Sequence, residues 1–247
     1  QLAPYSPVIY NPCVIPGYEA QTSAIAGSVH SADCNPAAVL YDLLTNPWGG
    51  VGNESTLVDV ASFVAAAVTL ADEQHGISLL VTKPNEAREV IDTILRQIDG
   101  VLYQDMATGQ YVLKLIREDY DAGSLPTFDT SNVVGDPEEP TTLWTETFNE
   151  VRVTFTEPLS GQKPATATAQ DTASMAADGR VKSTDIRFPG CRSWRLANKL
   201  AGRELNFLSR PISTLRIRVN RHGFDLNPGD PFRFTWAPWG LTMVFRA

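Results

Sequence analysis

The sequence predicts an α+β protein built from two unlike units: a helix-rich α+β domain, then a mainly β domain carrying one or two helices. Three observations point to it. Apolar residues recur at three-four spacing up to about residue 98 and at spacing two beyond residue 150. Between these regions, residues 118–142 are rich in Asp, Glu, Pro and Gly and show no period. Charge also reverses across that stretch. Residues 1–147 carry 5 Lys and Arg against 20 Asp and Glu, residues 148–247 carry 15 against 8, and the chain nets -8. The expected organisation is an extended segment over 1–30 packing on a neighbouring domain, a helix-rich α+β domain over 31–117, an acidic linker over 118–142, and a strand-rich domain over 143–247.

Element by element, prolines at 4, 7, 12 and 16 forbid a helix near the start and leave extended, edge-like chain. Asn35-Pro36 opens a helix with Val39, Leu40, Leu43 and Leu44 on its apolar face, and Asn46-Pro47 stops it. After a loop through Gly49, Gly50 and Gly52, Ser55 is the expected cap of a second helix reaching about Gln74. Its apolar positions are Leu57, Val60, Ala61, Val64, Ala67, Val68 and Ala71. A short strand is expected over Ile77–Thr82, then a helix capped by Asn85 with Val90, Ile91, Ile94, Leu95 and Ile98 on one face. Val101–Asp105 and Gln110–Arg117 flank the turn Met106–Gly109 and read as a β-hairpin.

Beyond the acidic stretch, Val151, Val153 and Phe155 alternate with polar residues as in a half-buried strand. A short helix follows over Asp171–Ala177, ended by Gly179, and a strand over Val181–Phe188, ended by Pro189-Gly190. Ser193 caps a helix with Trp194, Ala197, Leu200, Ala201, Leu205 and Leu208 that stops before Pro211. Leu215, Ile217 and Val219 alternate with Arg216, Arg218 and Asn220, a further strand. The turn Asn227–Asp230 leads to Phe232, Phe234 and Trp236, and Leu241–Phe245 forms the last strand.

Composition excludes several classes. With 43% hydrophobic and 19% charged residues the chain is neither disordered nor fibrous. No uncharged apolar run approaches the roughly 18 residues of a membrane span, so no stable membrane insertion is expected. No basic segment with an apolar core opens the chain, hence no signal peptide is read. A start at Gln1 and an end inside a strand suggest a piece of a longer polypeptide. Overall acidity argues against a dedicated nucleic-acid binder. Three cysteines, Cys13, Cys34 and Cys191, read as reduced and mostly buried, with a Cys13–Cys34 bridge left open.

Candidate chemistry is sparse. Gly50-Val51-Gly52-Asn53-Glu54-Ser55 imitates a dinucleotide fingerprint, but a helix rather than a strand leads into it, so it reads as a turn between helices. His30, Asp33, Cys34 and Cys13 lack the paired spacing of a zinc or iron–sulfur site. His30, His75 and His222 lie in three separate segments, away from a cysteine they could activate. Glu138-Glu139 sits in a proline-broken acidic run that reads as a solvated loop rather than a glycosidase pair. The expectation is therefore no enzyme, no cofactor, and no catalytic or metal site. The strongest electrostatic feature is the stripe Arg216, Arg218 and Arg233, with Arg210 and Arg221 nearby. Two readings of it stand level: a docking face for an acidic partner or DNA, and a solvated sheet face.

Residues 149–236 resemble the putative phage tail protein family of long-tailed phages and gene transfer agents. The matching elements are Asn149–Phe155, Gln170-Asp171, Gly179-Arg180-Val181 running into Ile186–Gly190, the helix positions Ala197, Ala201 and Leu205, and the turn Leu226–Asp230. Upstream, 35–45 followed by 48–52 looks like the start of the neighbouring hub domain. The resemblance implies a hub-type fold and a ring-forming, usually trimeric, virion protein of the tail tip or baseplate hub. Such a ring joins the distal end of the tail tube to host-binding parts for DNA ejection. Implied partners are copies of itself, a tube or distal tail protein, the tape measure and tip or fibre proteins, with DNA only in transit. Implied location is the virion tail, assembled in the bacterial host cytoplasm, with no catalytic residues to carry over. Pro231 departs from the family's apolar residue after Gly-Asp, and a shifted start of that strand is expected. The alternative is a cell-wall-degrading or carbohydrate- or receptor-binding domain of a tail tip. That alternative needs paired carboxylates, a metal site, or aromatics such as Trp48, Trp144, Trp236 and Trp239 gathered on one face.

Overall fold

A computed structural model describes residues 15–16, 33–47, 50–79, 87–138, 147–157, 163–211 and 214–247. Expectations for Cys13, His30, Trp48, Asn85, Trp144 and most of 1–30 lie outside these residues. The fold is α+β, with five α-helices and eight strands in three sheets among the described residues.

The first core gathers α1 (Pro36–Thr45), α2 (Val60–Asp72), α3 (Ala87–Ile98) and the hairpin β1 (Gly100–Gln104) and β2 (Tyr111–Leu115). Asn35 does two jobs. Its Oδ1 accepts from Ala37 N at 3.0 Å, capping α1, and its Nδ2 donates to the Ala67 carbonyl at 2.8 Å, tying α1 to α2. At the other end of α1 the glycine loop folds back, with Val51 N donating to Leu43 O at 2.7 Å and Asn53 N to Leu44 O at 2.8 Å. A Cβ on Gly50 would lie 2.2 Å from the Leu43 oxygen, so only glycine allows this closure. The loop caps a helix C-terminus.

Helix α2 begins later than its sequence suggests. Ser55–Leu57 form a 3₁₀ turn, Val58 bridges Tyr111, and Asp59 N donates to Tyr111 O at 2.9 Å. Pairing with the hairpin holds the chain extended through Asp59, whose carboxylate then caps α2 by accepting from Ala61 N. Nor does Ile77–Thr82 form the expected strand within the described residues. Ile77 makes one isolated bridge to Cys34, and residues 80–82 lie outside the described residues.

The second core places α5 (Trp194–Leu208) on a sheet of order β5-β4-β6, where β4 is Glu150–Glu157, β5 is Lys163–Gln170 and β6 is Ser183–Arg187. β4 pairs antiparallel with β5 and parallel with β6. Helix α4 (Thr172–Asp178) connects β5 to β6; Asp171 caps it, and Gly179, at φ 65°, ends it. Asn149, 1% exposed, fixes the parallel register: its Nδ2 donates to Arg180 O and its Oδ1 accepts from Lys182 N. β5 is not among the strands expected from the sequence. Its signal is the alternation of Thr166 and Thr168 with Ala165, Ala167 and Ala169, a weak pattern because alanine is a poor strand former.

The third core packs Phe128, Val133, Phe232, Phe234 and Trp236 around the sheet β3-β7-β8, comprising Thr127–Phe128, Pro231–Trp236 and Leu241–Arg246. Part of the acidic stretch is woven into it. β3 pairs parallel with β7, Val133 bridges Val219, and Glu138 bridges Arg216. Residues 215–220 make those two bridges in place of the expected regular strand, although burial still alternates along them. β7 starts at Pro231 itself, so the proline does not delay the strand; a first strand position suits a residue without an N–H.

Polar contacts join the cores. Ser78 N donates to Gly190 O at 2.9 Å, and Arg192 Nη1 to Ser78 Oγ at 3.2 Å. From α5, Lys199 Nζ donates to Glu73 O at 3.4 Å, and Arg203 to Gln97 O at 2.9 Å and Arg96 O at 3.2 Å. Lys114 pairs with Asp230, and Arg246 donates to the Arg117 carbonyl. Inside this joint His75 is 2% exposed, and neither ring nitrogen has a hydrogen-bond partner among the described residues. Burial pulls its pKa from the usual 6.5 down to about 4; Glu73 opposes this, while Arg203, Arg117 and Lys199 add to it.

A Cβ on Gly190 would lie 2.4 Å from Ile77 Cγ1, so Gly190→Ala should cost about 1–3 kcal/mol in urea denaturation. An unchanged midpoint would show that Ile77 moves aside freely. For His75, the unfolded chain takes up a proton below about pH 6.5 and the folded chain only near 4. Its contribution to stability should therefore be level above 6.5, fall by about 3 kcal/mol between 6.5 and 4, and level off below. His75→Leu should flatten that part of the pH profile relative to the parent, and an equal slope in both would assign the loss to other groups.

Candidate assembly surface

The arginine stripe divides into two kinds of residue. Arg216 and Arg218 are exposed, while Leu215, Ile217 and Val219 on the same segment pack against the third core. Backbone bonds hold the segment in place: Arg216 and Glu138 exchange N–H···O bonds of 3.0 Å, Val134 N donates to Arg218 O at 2.7 Å, and Asn220 N to Asn132 O at 2.9 Å. The two guanidinium-bearing side chains thus stand on a fixed backbone without being needed by the core. Arg233 is half-buried in β7 and its guanidinium donates to the Ala122 carbonyl. It fastens the acidic stretch to the sheet.

Other singled-out residues have structural placements. Cys191 is fully buried; burial pushes its thiol up to about 12, outweighing a contact with the Ser193 carbonyl, which does not suit a nucleophile. His222 is exposed in a 3₁₀ turn capped by Asn220 Oδ1. Glu138 is exposed, and Glu139 lies outside the described residues. Among the described residues no group of three His, Cys, Asp or Glu side chains is placed to hold a metal ion. Trp236 is 6% exposed and stacks on Phe234, and Trp239 lies edge-on to Trp236.

A groove of about 940 Å³ opens where the three cores meet, lined by residues from α5, β8 and the ends of α2 and β2. At its wall Arg117 grips Glu73 with both ends of the fork, at 2.6 Å and 2.8 Å, and donates to Ile98 O at 3.1 Å. Burial alone would push the Glu73 carboxyl up, but the Arg117 bonds outweigh it and hold it below the usual range. Sequence reasoning passed over Lys199 and Arg203, whose spacing of four on α5 was the available signal.

No curated protein matches the sequence. A chain from the virion of a native gene transfer agent particle is 14% identical with a TM-score of 0.61, over 83% of this chain and 42% of that one. The tail protein from Neisseria meningitidis MC58 is 15% identical with a TM-score of 0.49, over 69% and 52%. The 43 kDa tail protein of prophage MuSo2 from Shewanella oneidensis is 15% identical with a TM-score of 0.41, over 68% and 48%. The chain spans about half the length of these solved proteins. Residues 86–246 match the family described as Putative phage tail protein, a span that runs from the start of α3 through β8 and so extends upstream of residue 149, where the resemblance in the sequence began. With well over half of its length matched, the chain belongs to this family and is a structural component of a phage-type tail.

Proposed function

We propose that this protein forms part of a ring, a trimer, at the distal end of the tail tube. There, as a tail-tip or baseplate hub component, it connects the tube to host-binding parts and passes DNA without binding it stably. Its role is structural, not catalytic. The neighbours in this reading are further copies, a tube or distal tail protein, the tape measure and tip or fibre proteins, with assembly in the host cytoplasm. The same proposal divides the chain into the N-terminal segment 1–30, the helix-rich domain 31–117, the acidic stretch 118–142 and the hub domain 143–247.

The observation that carries it is the pair Arg216 and Arg218, exposed on a segment whose other side is packed, in a chain with net charge -8. A basic face on an acidic protein fits contact with an acidic face of the next subunit, which sets register and encounter more than affinity. Arg233 adds to that surface from behind, by holding the acidic stretch in place. An acidic surround also gives passing DNA little to adhere to, because cationic contacts supply DNA affinity.

Arg216→Glu with Arg218→Glu tests it. Arg216 sits opposite Glu138, so the double variant should lose up to about 1 kcal/mol from like charges and still fold, as read by circular dichroism. Assembly followed by light scattering, and incorporation into tails, should weaken, most strongly at low salt. Incorporation equal to the parent at every ionic strength would remove these arginines from the interface.

A further inference from the structure

We propose that the outer edge of β8 is a strand-addition site, and that its occupant is an extended segment of a partner protein alternating apolar with acidic residues. The inference does not depend on the ring. Hydrogen-bond directions in the third sheet fix which backbone groups of β8 face outward. Arg233 N donates to Pro126 O, so the polar backbone of Arg233 faces β3, away from β8. Its register partner Val244 is therefore a pair without hydrogen bonds across β7 and β8, and the Val244 N–H and C=O point outward. Ala247 confirms the phase, since it bonds inward to Gly229 and Asp230. By alternation Thr242 and Arg246 also present their backbone groups to the outside. Among the described residues, β8 is the end strand of its sheet.

A side chain on the core face of that edge is left uncovered. Met243 lies directly opposite Phe234 and hence on the core face; Phe234 is fully buried, yet Met243 is 48% exposed. An added strand would cover it. Protective devices are also fewer than on other edges, Arg246 at the end of β8 being its one charge. β5 carries Lys163 and Pro164, and β6 carries Asp185 and Arg187, whereas Leu241–Val244 holds neither charge nor proline.

The groove supplies the chemistry of the occupant. Val244, Phe245 and Arg246 form one wall, and α5 forms another with Leu200 and Phe207, the latter 61% exposed. Lys199, Arg203 and Arg246, each with some N–H groups committed to backbone carbonyls, bring positive charge to the same space. Asp99 and Glu118 also stand there and Arg117 holds Glu73, so the lining keeps a small net positive charge. Main-chain pairing to β8 gives such a peptide its affinity, apolar side chains meet Phe207 and Phe245, and carboxylates meet the cations.

The test is binding of a fluorescein-labelled peptide alternating valine and glutamate, read by anisotropy, with a valine–lysine peptide as its counterpart. Val244→Pro deletes an N–H that the internal ladder does not use. Met243→Lys, which places a charge on the landing face, gives an independent second variant should the first fold poorly by circular dichroism. The valine–glutamate peptide should bind the parent about tenfold or more tighter than the lysine peptide, and each folded variant should lose about tenfold or more. No binding to the parent, equal binding of the two peptides, or parent-like binding by a folded variant would overturn the proposal. Concentration-dependent self-association of the parent that Val244→Pro abolishes, with no peptide bound, would give the edge to a second copy and also overturn it.

Discussion

Two helices, α2 and α3, end against α5, and satisfying their last carbonyls is the constraint from which the arrangement of the chain follows. A helix C-terminus carries unpaired C=O groups and the negative end of the macrodipole, and burying it without donors is costly. Lys199 and Arg203 stand one turn apart on α5; the first donates to Glu73 O just past α2, the second to Arg96 O and Gln97 O in the last turn of α3. One helix face therefore closes two helix ends. The charge reversal along the sequence is in part an internal device, since cations of the C-terminal half meet the negative helix ends of the N-terminal half.

The same joint traps His75. Glu73, the neighbour that would favour an imidazolium, is already committed to Arg117, while Lys199 and Arg203 crowd the site with positive charge. A neutral ring is the form this surrounding tolerates. The joint is thus polar at its rim, while at its centre burial first, and the neighbouring cations second, disfavour a charge on His75.

Elements that rest on local rules were legible in the sequence. Asn35-Pro36 sets α1, Asp171 and Gly179 bound α4, and the turn before Gly109 joins β1 to β2, because caps and turns act within a few residues. Elements governed by distant partners were not. Asp59 rather than Ser55 starts α2 because Tyr111, far along the chain, draws Val58 and Asp59 into pairing. β5 stays hidden since its Ala–Thr alternation acquires meaning only beside β4. Of the candidate surface, the exposure of Arg216 and Arg218 was readable from spacing two. The attachment of Arg233 to Ala122 and the capping by Lys199 and Arg203 were not, because the acceptors are backbone carbonyls, and any sequence supplies those.

The third core is the least self-sufficient of the three. Five buried residues and six partly buried ones hold it, with aromatic pairs such as Phe128 on Phe232 at 5.4 Å and Phe234 on Phe245 at 6.1 Å. A cluster that small does not offset the ordering of its strands unaided. Support comes from outside: the acidic stretch contributes β3 and two bridges, and the first core contributes Lys114 to Asp230 and the Arg117 carbonyl to Arg246. Surfaces not consumed by this support, the exposed arginines on 215–220 and the outer edge of β8, belong to the same core. Instability and availability thus coincide for one reason. A sheet too small to bury both its faces and both its edges leaves polar and apolar groups that other chains of an assembly can satisfy, and here those groups lie on the unit that gains most from being covered.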